Sequence, residues 1–348
     1  MEIAIRAASL RDDRQELIAL LERNIPGKQT RHFQWRHEDN PAGPGWSWVI
    51  YDRKSGAASA MASVYPRQMY IDGKQVLCGQ VGEFVVDTTL RSLGPAVMLQ
   101  RATFDPVDTG AVDLCYDCPP HAQGMSTFVR LGMSPSCEVF RYALLLRSDE
   151  FIEKRFGRGL WTKAAVVAAN LLLGMRAPKR STTGLEVDWL DGRFGEEFSE
   201  LDKLVPSSGV IRASRSAEVL NWRYRTNPEL TFRVLVARRA GQLLGFLVFV
   251  VHDDKRVSIC DLFGRQLSDA GPALLEAAIE SCRKEKLNCL QGYCSATSDL
   301  RAPLERAGLR RRERAVSIVA YAKPEGPAGL VLNSAGRWPV GHAEMFST

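Results

Sequence analysis

Two hydrophobic periods alternate along the chain, and they do so twice in the same order. The first cycle opens on a short strand, Glu2 to Arg6. From Asp12 to Arg23 the spacing of Leu17, Ile18, Leu20 and Leu21 predicts an amphipathic helix. A second helix carries Trp35 and Arg36 and stops at Asn40-Pro41, because the residue before a proline avoids helical angles. Hairpin strands are predicted at Ser47 to Tyr51, Ala57 to Tyr65 and Val76 to Val86. A helix from Gly94, a strand from Val112 to Tyr116, a short helix and a strand from Glu138 to Leu146 close the cycle. The second cycle starts at Leu185 to Trp189 and a helix bearing Phe194, Phe198, Leu201 and Leu204. It repeats the hairpin strands at Phe232 to Arg238, Leu243 to His252 and Arg256 to Leu262. A helix from Gly271 and strands at Cys289 to Tyr293 and Ala315 to Tyr321 follow. The order β-α-α-β-β-β-α-β-α-β predicts an α/β mixed sheet with helices on its faces.

Residue matches support a duplication. Trp35-Arg36 through Asn40-Pro41 recurs as Trp222-Arg223 through Asn227-Pro228. Gly94-Pro95-Ala96 recurs as Gly271-Pro272-Ala273, and Arg130-Leu131-Gly132 is echoed by Arg306-Ala307-Gly308. Three matches in one order argue two tandem domains, residues 1–148 and 184–323. The offset shrinks along the chain because the first copy has a longer hairpin through Tyr70 to Lys74. A linker, 149–183, holds an apolar helix from Leu160 to Met175 with basic residues on both flanks. Two places suit this helix: burial between the domains, which its low polarity favours, or a membrane interface whose anionic headgroups meet the basic flanks. The tail, 324–348, is rich in Gly and Pro and reads as irregular.

Composition removes other classes. The chain has 348 residues, 45% hydrophobic and 25% charged, which excludes disorder, collagen-like repeats and a coiled coil. Its apolar runs fall short of a bilayer span, and its N-terminus reads as a strand rather than a signal peptide, so a cytoplasmic location is expected. A net charge of +6 is too small to argue for nucleic acid. The arginines from Arg306 to Arg314 read as a solvated surface. Eight cysteines, with a single C-x-x-C at Cys115 and Cys118, complete no zinc site and read as reduced thiols. Trp35 and Trp222 read as packing residues, since both copies have them.

The sharpest chemical motif is Arg91-Ser92-Leu93-Gly94-Pro95-Ala96, between an apolar strand and a helix. A helix start presents free N–H groups and partial positive charge to an anion. Arg91 adds a charge-assisted donor, and Gly94 permits close approach of a phosphate. These residues resemble the acyl-CoA motif of the GNAT acetyltransferase superfamily, Arg/Gln-x-x-Gly-x-Gly/Ala. A looser echo of the superfamily's later signature spans Pro120 to Met133, with Phe128 where a tyrosine is usual. The layout particularly resembles GNAT-like proteins of bacterial envelope and exopolysaccharide clusters. The resemblance implies acetyl-CoA or another acyl-CoA as co-substrate, with no metal. The cofactor would be held by Val85, Val86, Arg91, Ser92, Leu93, Gly94, Ala96 and Phe128. The second copy has Ser268 in the arginine position and Asp269 at the helix start, so it reads as degenerate.

Acyl transfer to an amine needs a base and a group to polarise the thioester. Glu83 on the strand before the motif suits a base if burial raises its pKa. His121 titrates in the useful range, and Tyr116 is a candidate for protonating the leaving thiol in place of Phe128. The resulting expectation is an N-acyltransferase acting on a small-molecule, glycan or lipid-linked amine. Its rivals are a non-catalytic scaffold of the same fold and a Fem-type aminoacyl transferase. An oligomer and a peripheral membrane contact are compatible with either.

Overall fold

A computed structural model describes residues 4–25, 27, 30–52, 56–90, 93–119, 122–157, 159–175, 184–333, 338 and 340–345. The first copy contributes strands β1 (Ile5–Ala7), β2 (Trp46–Tyr51), β3 (Ala58–Ile71), β4 (Lys74–Val86), β5 (Cys115–Asp117) and β6 (Cys137–Leu145). Its helices are α1 (Arg14–Asn24), α2 (Thr30–His37), α3 (Leu93–Ala102), α4 (Asp105–Asp108) and α5 (Ala122–Arg130). The linker forms α6 (Asp149–Phe156) and α7 (Leu160–Met175). The second copy contributes β7 (Glu186–Trp189), β8 (Ile211–Ala213), β9 (Phe232–Arg239), β10 (Gln242–Val251), β11 (Arg256–Gly264), β12 (Cys289–Ser295) and β13 (Arg310–Tyr321). Its helices are α8 (Glu196–Leu204), α9 (Ala217–Arg225), α10 (Leu267–Lys284) and α11 (Arg301–Arg306). The expected element order holds in both copies, with α4 and β8 as additions.

All strands join one mixed sheet, and its order shows how the copies are joined. The path runs β1-β2-β3-β4-β5-β13-β6-β12-β11-β10-β9-β7. The last strand of each copy has crossed over. β13 pairs antiparallel with β5, while β6 pairs antiparallel with β12 from Cys289↔Leu145 to Ser295↔Val139. β6 and β13 also pair with each other at the centre. In space, the sheet of the first half is completed by β13 and that of the second half by β6.

A second cross-connection lies on the Trp-Arg helices. The rings of Trp35 and Trp222 stack, with centroids 4.8 Å apart and planes at 19°. Each indole Nε1–H donates to the other's backbone carbonyl, at 2.9 Å in both directions. This reciprocal contact is what a local twofold axis requires, and it gives both buried N–H groups an acceptor.

The first copy's longer hairpin has a structural purpose. Asp72 and Gly73 turn it with φ of +48° and +80°, as a two-residue loop between right-twisted strands demands. The extended end of β3 then pairs with β8, Met69↔Ala213 to Ile71↔Ile211, and so grips the second copy.

Two expectations about the remaining segments are corrected. Among its described residues the tail is largely helical rather than irregular. It forms α12 (Pro327–Asn333) and α13 (His342–Met345), and Trp338, Val340 and Met345 enter a central core with Tyr116 and Ile318. Apolar side chains, not Gly and Pro content, decide its fate. The linker helix is not buried between the halves. Leu160 and Trp161 are 85% and 90% exposed, and Val167 and Leu171 are exposed as well. Among the described residues no helix is long and apolar enough to cross a membrane.

Candidate functional site

Each half contains a place where two parallel strands part. β4 and β5 pair only at Gly79↔Cys115 and Gln80↔Tyr116. From Val81 to Val86 the edge of β4 that faced β5 has no strand partner among the described residues. A bulge lies there: Met61 pairs with Val85 and Ser63 with Gly82, which leaves Glu83 and Phe84 opposite Ala62. Glu83 takes the left-handed φ of +49° to make that turn. In the second half, β11 and β12 pair from Arg256↔Cys289 to Ser258↔Gln291 and then part likewise. An unpaired strand edge offers N–H and C=O groups to a ligand's amides.

α3 begins at Leu93, beside the first parting. A Cβ added to Gly94 would meet nothing within 4 Å, so open space lies beside the start of α3. Gly271 does not open the second copy's helix as its sequence predicts: α10 begins at Leu267, so Gly271 lies in its second turn, where an added Cβ would lie 2.9 Å from Pro303 Cβ. The two glycines share a sequence context but not a use. One leaves room, and the other lets α11 pack on α10. Arg91, Ser92 and His121 lie outside the described residues.

Glu83 is buried in a polar cluster under α2. His37 Nε2 lies 3.0 Å from its Oε2, and Arg36 Nη1 and His32 Nε2 lie 3.9 and 4.0 Å from its Oε1. Burial pushes its pKa up, but the His37 hydrogen bond and the neighbouring cationic side chains outweigh that and hold it at about 2. The expectation of a raised pKa is thus reversed, and a carboxylate this acidic is a weak base at neutral pH.

Tyr116 also departs from its expected use. Its hydroxyl accepts from Arg67 Nη1 at 3.0 Å, and its ring meets Trp338 edge-on. Burial pushes its pKa well up. Alternation along β5 puts Tyr116 on the tail-covered face, while Cys115 faces the core with Leu99 of α3. It therefore points away from α3. Phe128, expected beside the cofactor, is core: it is buried with Leu99, Phe104 and Val107. Val85 is buried toward α1, and Val86 is partly buried on the α3 side.

One group went unnoticed in the sequence. Asp117 ends β5 on the same face as Cys115, next to the parting. It keeps partial solvent contact, yet the protein around it pushes its pKa up to about 7, opposed by the hydrogen bond that its Oδ1 accepts from the Cys118 amide at 2.7 Å. A carboxyl poised near neutral pH beside a strand parting can take a proton from a reacting amine. The thiols offer less: burial raises the pKa of Cys115 and Cys118, so neither is poised as a nucleophile.

The second half holds a cavity of about 890 Å³ bounded by the end of β11, the start of α10 and α11. Asp269 is not on its wall. That carboxylate instead accepts from Ser268 Oγ and lies 3.6 Å from Arg239. The expected anion repulsion at this helix start is correspondingly weakened.

Comparison with solved structures decides the architecture. A conserved protein of unknown function from Enterococcus faecalis V583, described as a probable N-acyltransferase, superposes with a TM-score of 0.65 at 10% identity, over 92% of this chain and 72% of that one. The GCN5-related N-acetyltransferase of Anabaena variabilis ATCC 29413 gives 0.62 at 12% identity, over 92% and 73%. The chain has a GNAT-like fold. Saccharomyces cerevisiae N-myristoyltransferase with bound myristoyl-CoA gives 0.59 at 13% identity, over 94% and 80%. No family profile and no curated protein sequence matches the chain. Each of these matches spans more than nine-tenths of the chain.

Proposed function

We propose that the protein is an acyl-CoA-dependent N-acyltransferase whose donor, acetyl-CoA or a longer acyl-CoA, lies on the first copy. The observation that carries this reading is the contrast between the open Gly94 and the closed Gly271. Arg91 and the N–H groups from Ser92 to Ala96 would hold the pyrophosphate, with Pro95 contributing none. The open edge of β4 at Val85 and Val86 would receive the pantetheine and polarise the thioester carbonyl. The amine nitrogen attacks that carbonyl carbon, the C–S bond breaks, and CoA leaves with its sulfur. The proton lost by the amine passes to Asp117, which is best matched in acidity among the described carboxyls near the parting. The acceptor is an amine on a small molecule, glycan or lipid-linked precursor. The exposed apolar face of α7, with Lys154, Arg155 and Lys163 nearby, supports a peripheral position on the cytoplasmic face of an anionic membrane.

Calorimetry with acetyl-CoA and a longer acyl-CoA tests the donor site. Arg91→Glu removes a charge-assisted bond and adds repulsion, a loss of about 2–3 kcal/mol or roughly a hundredfold in affinity. Ser268→Glu should change affinity little. Absence of acyl-CoA binding to the wild type rejects the enzyme reading. Loss of binding in Ser268→Glu with Arg91→Glu unaffected moves the donor to the second copy.

A further inference from the structure

The cavity of the second copy has no part in the reaction just described, yet it is built with care. The first copy's hairpin makes one wall of it indirectly. Asp72 N–H and Gly73 N–H donate to the carbonyls of Val210 and Ser207, at 3.1 and 2.9 Å, and Asp72 Oδ1 accepts from Gly209 N–H at 2.7 Å. These contacts fix the stretch from Val205 to Arg212 that lines the cavity. Arg212 itself is 5% exposed, lies over the Tyr70 ring at 4.1 Å and bonds Asp202. Its Nε–H finds no acceptor among the described residues. An insertion unique to one copy thus braces an open space in the other.

The lining carries apolar groups and charges of both signs, with Arg212, Arg215 and Glu344 buried and Asp299 and the Arg301–Glu305 pair nearer the rim. Leu262, Phe263 and Pro303 are buried and supply its apolar part, Leu262 on the α10 face of β11 and Phe263 on the opposite face beneath Arg212 and Arg215. Arg265 and Arg306 are exposed at the rim, and neither pairs with a carboxylate among the described residues. Arg306 Nη1 instead donates to the carbonyl of Ser268 at 3.3 Å, which holds its guanidinium at the start of α10. A CoA pyrophosphate cradle is not what these groups form. Gly271 lies in the second turn of α10 and is packed against Pro303, which denies a pyrophosphate close approach to the backbone there. Two arginines beside an apolar interior suit a single phosphate group attached to an apolar body.

We infer that the second-copy cavity is a separate binding site for an amphiphilic organic phosphate, whose phosphate meets Arg265 and Arg306 while its apolar part enters against Leu262 and Phe263. The site stands apart from the acyl-CoA reading. Its volume of about 890 Å³ suits a ligand of drug size.

Dodecyl phosphate and lauroyl-CoA serve as probes on the full chain, in isothermal titrations of the wild type, Arg265→Glu/Arg306→Glu, Ala302→Trp and Arg91→Glu. The double variant reverses charge at exposed positions, and Ala302→Trp fills the cavity from an exposed residue of α11, so either can report if the other misfolds. Dodecyl phosphate should bind once per chain, lose at least tenfold in affinity in both cavity variants and be unaffected by Arg91→Glu. No binding of dodecyl phosphate to the wild type, or equal affinity in wild type and folded cavity variants, overturns the inference. If lauroyl-CoA alone is weakened by the cavity variants and Arg91→Glu leaves it intact, the ligand class assigned here is wrong and so is the first-copy donor site. Failure of every acyl-CoA to bind, with dodecyl phosphate behaving as stated, rejects the transferase reading and leaves this site standing.

Discussion

Glu83 and Asp117 flank one strand parting and have opposite acidities. Glu83 was legible from its place on the strand before the motif, but the sign of its pKa shift was not. That sign comes from His37 and Arg36 on α2, which the fold brings to it from 46 residues away in the case of His37. Asp117 carried no signal, because part of its enclosure is β13, which arrives from the other copy with Val319 opposite it. A folded-state pKa raised from 3.8 to about 7 makes Asp117 a site where ionisation opposes folding. Wild-type stability should therefore be highest below pH 4 with respect to this group and fall as pH rises toward 7. Asp117→Asn should flatten that part of the stability profile. In turnover, the wild type should show a limb rising to a plateau above about pH 7. The variant should lose that limb and about 10²–10⁴ in kcat, the range of general-base catalysis. A rate profile unchanged in Asp117→Asn would remove Asp117 from the mechanism, whatever the stability profile shows.

Most elements were readable from periodicity alone, because local apolar spacing sets where a helix or strand begins to bury itself. The positions of α7 and the tail were not readable, since both depend on which surfaces are left uncovered after the sheet assembles. α7 makes its helix contacts with α6, and Asn170 Oδ1 accepts from Ser148 N–H at 2.8 Å to hold the pair together. Its outward residues gain nothing from the fold. Inserting Leu160 and Trp161 into an acyl-chain boundary would recover roughly 1.5–3 kcal/mol per side chain. The protein should float with phosphatidylglycerol vesicles, and less so as salt screens Lys154, Arg155 and Lys163. Leu160→Ser/Trp161→Ser should abolish flotation without lowering the melting temperature. Indifference to anionic vesicles would leave α7 to a protein partner.

The duplication was visible in sequence as three ordered matches, but the exchange of final strands was not. β6 and β13 have the same apolar pattern whichever neighbour they pair with, so only assembly distinguishes the two choices. The exchange should make unfolding one event. Calorimetry of the full chain is expected to show a single transition, and residues 1–148 expressed alone should aggregate, with β6 lacking β12 and β5 lacking β13. Two well-separated transitions, or a stable monomer of 1–148, would show that the halves are independent. The Trp35–Trp222 contact has a historical meaning as well. Two indoles that stack and exchange identical hydrogen bonds about a twofold axis are the self-complementary contact of a symmetric homodimer. A single-copy ancestor could have closed the same sheet by lending its last strand to an identical chain. Two halves on one chain are not bound to mirror each other, and Gly94 and Gly271 show the difference: open space beside one, Pro303 against the other.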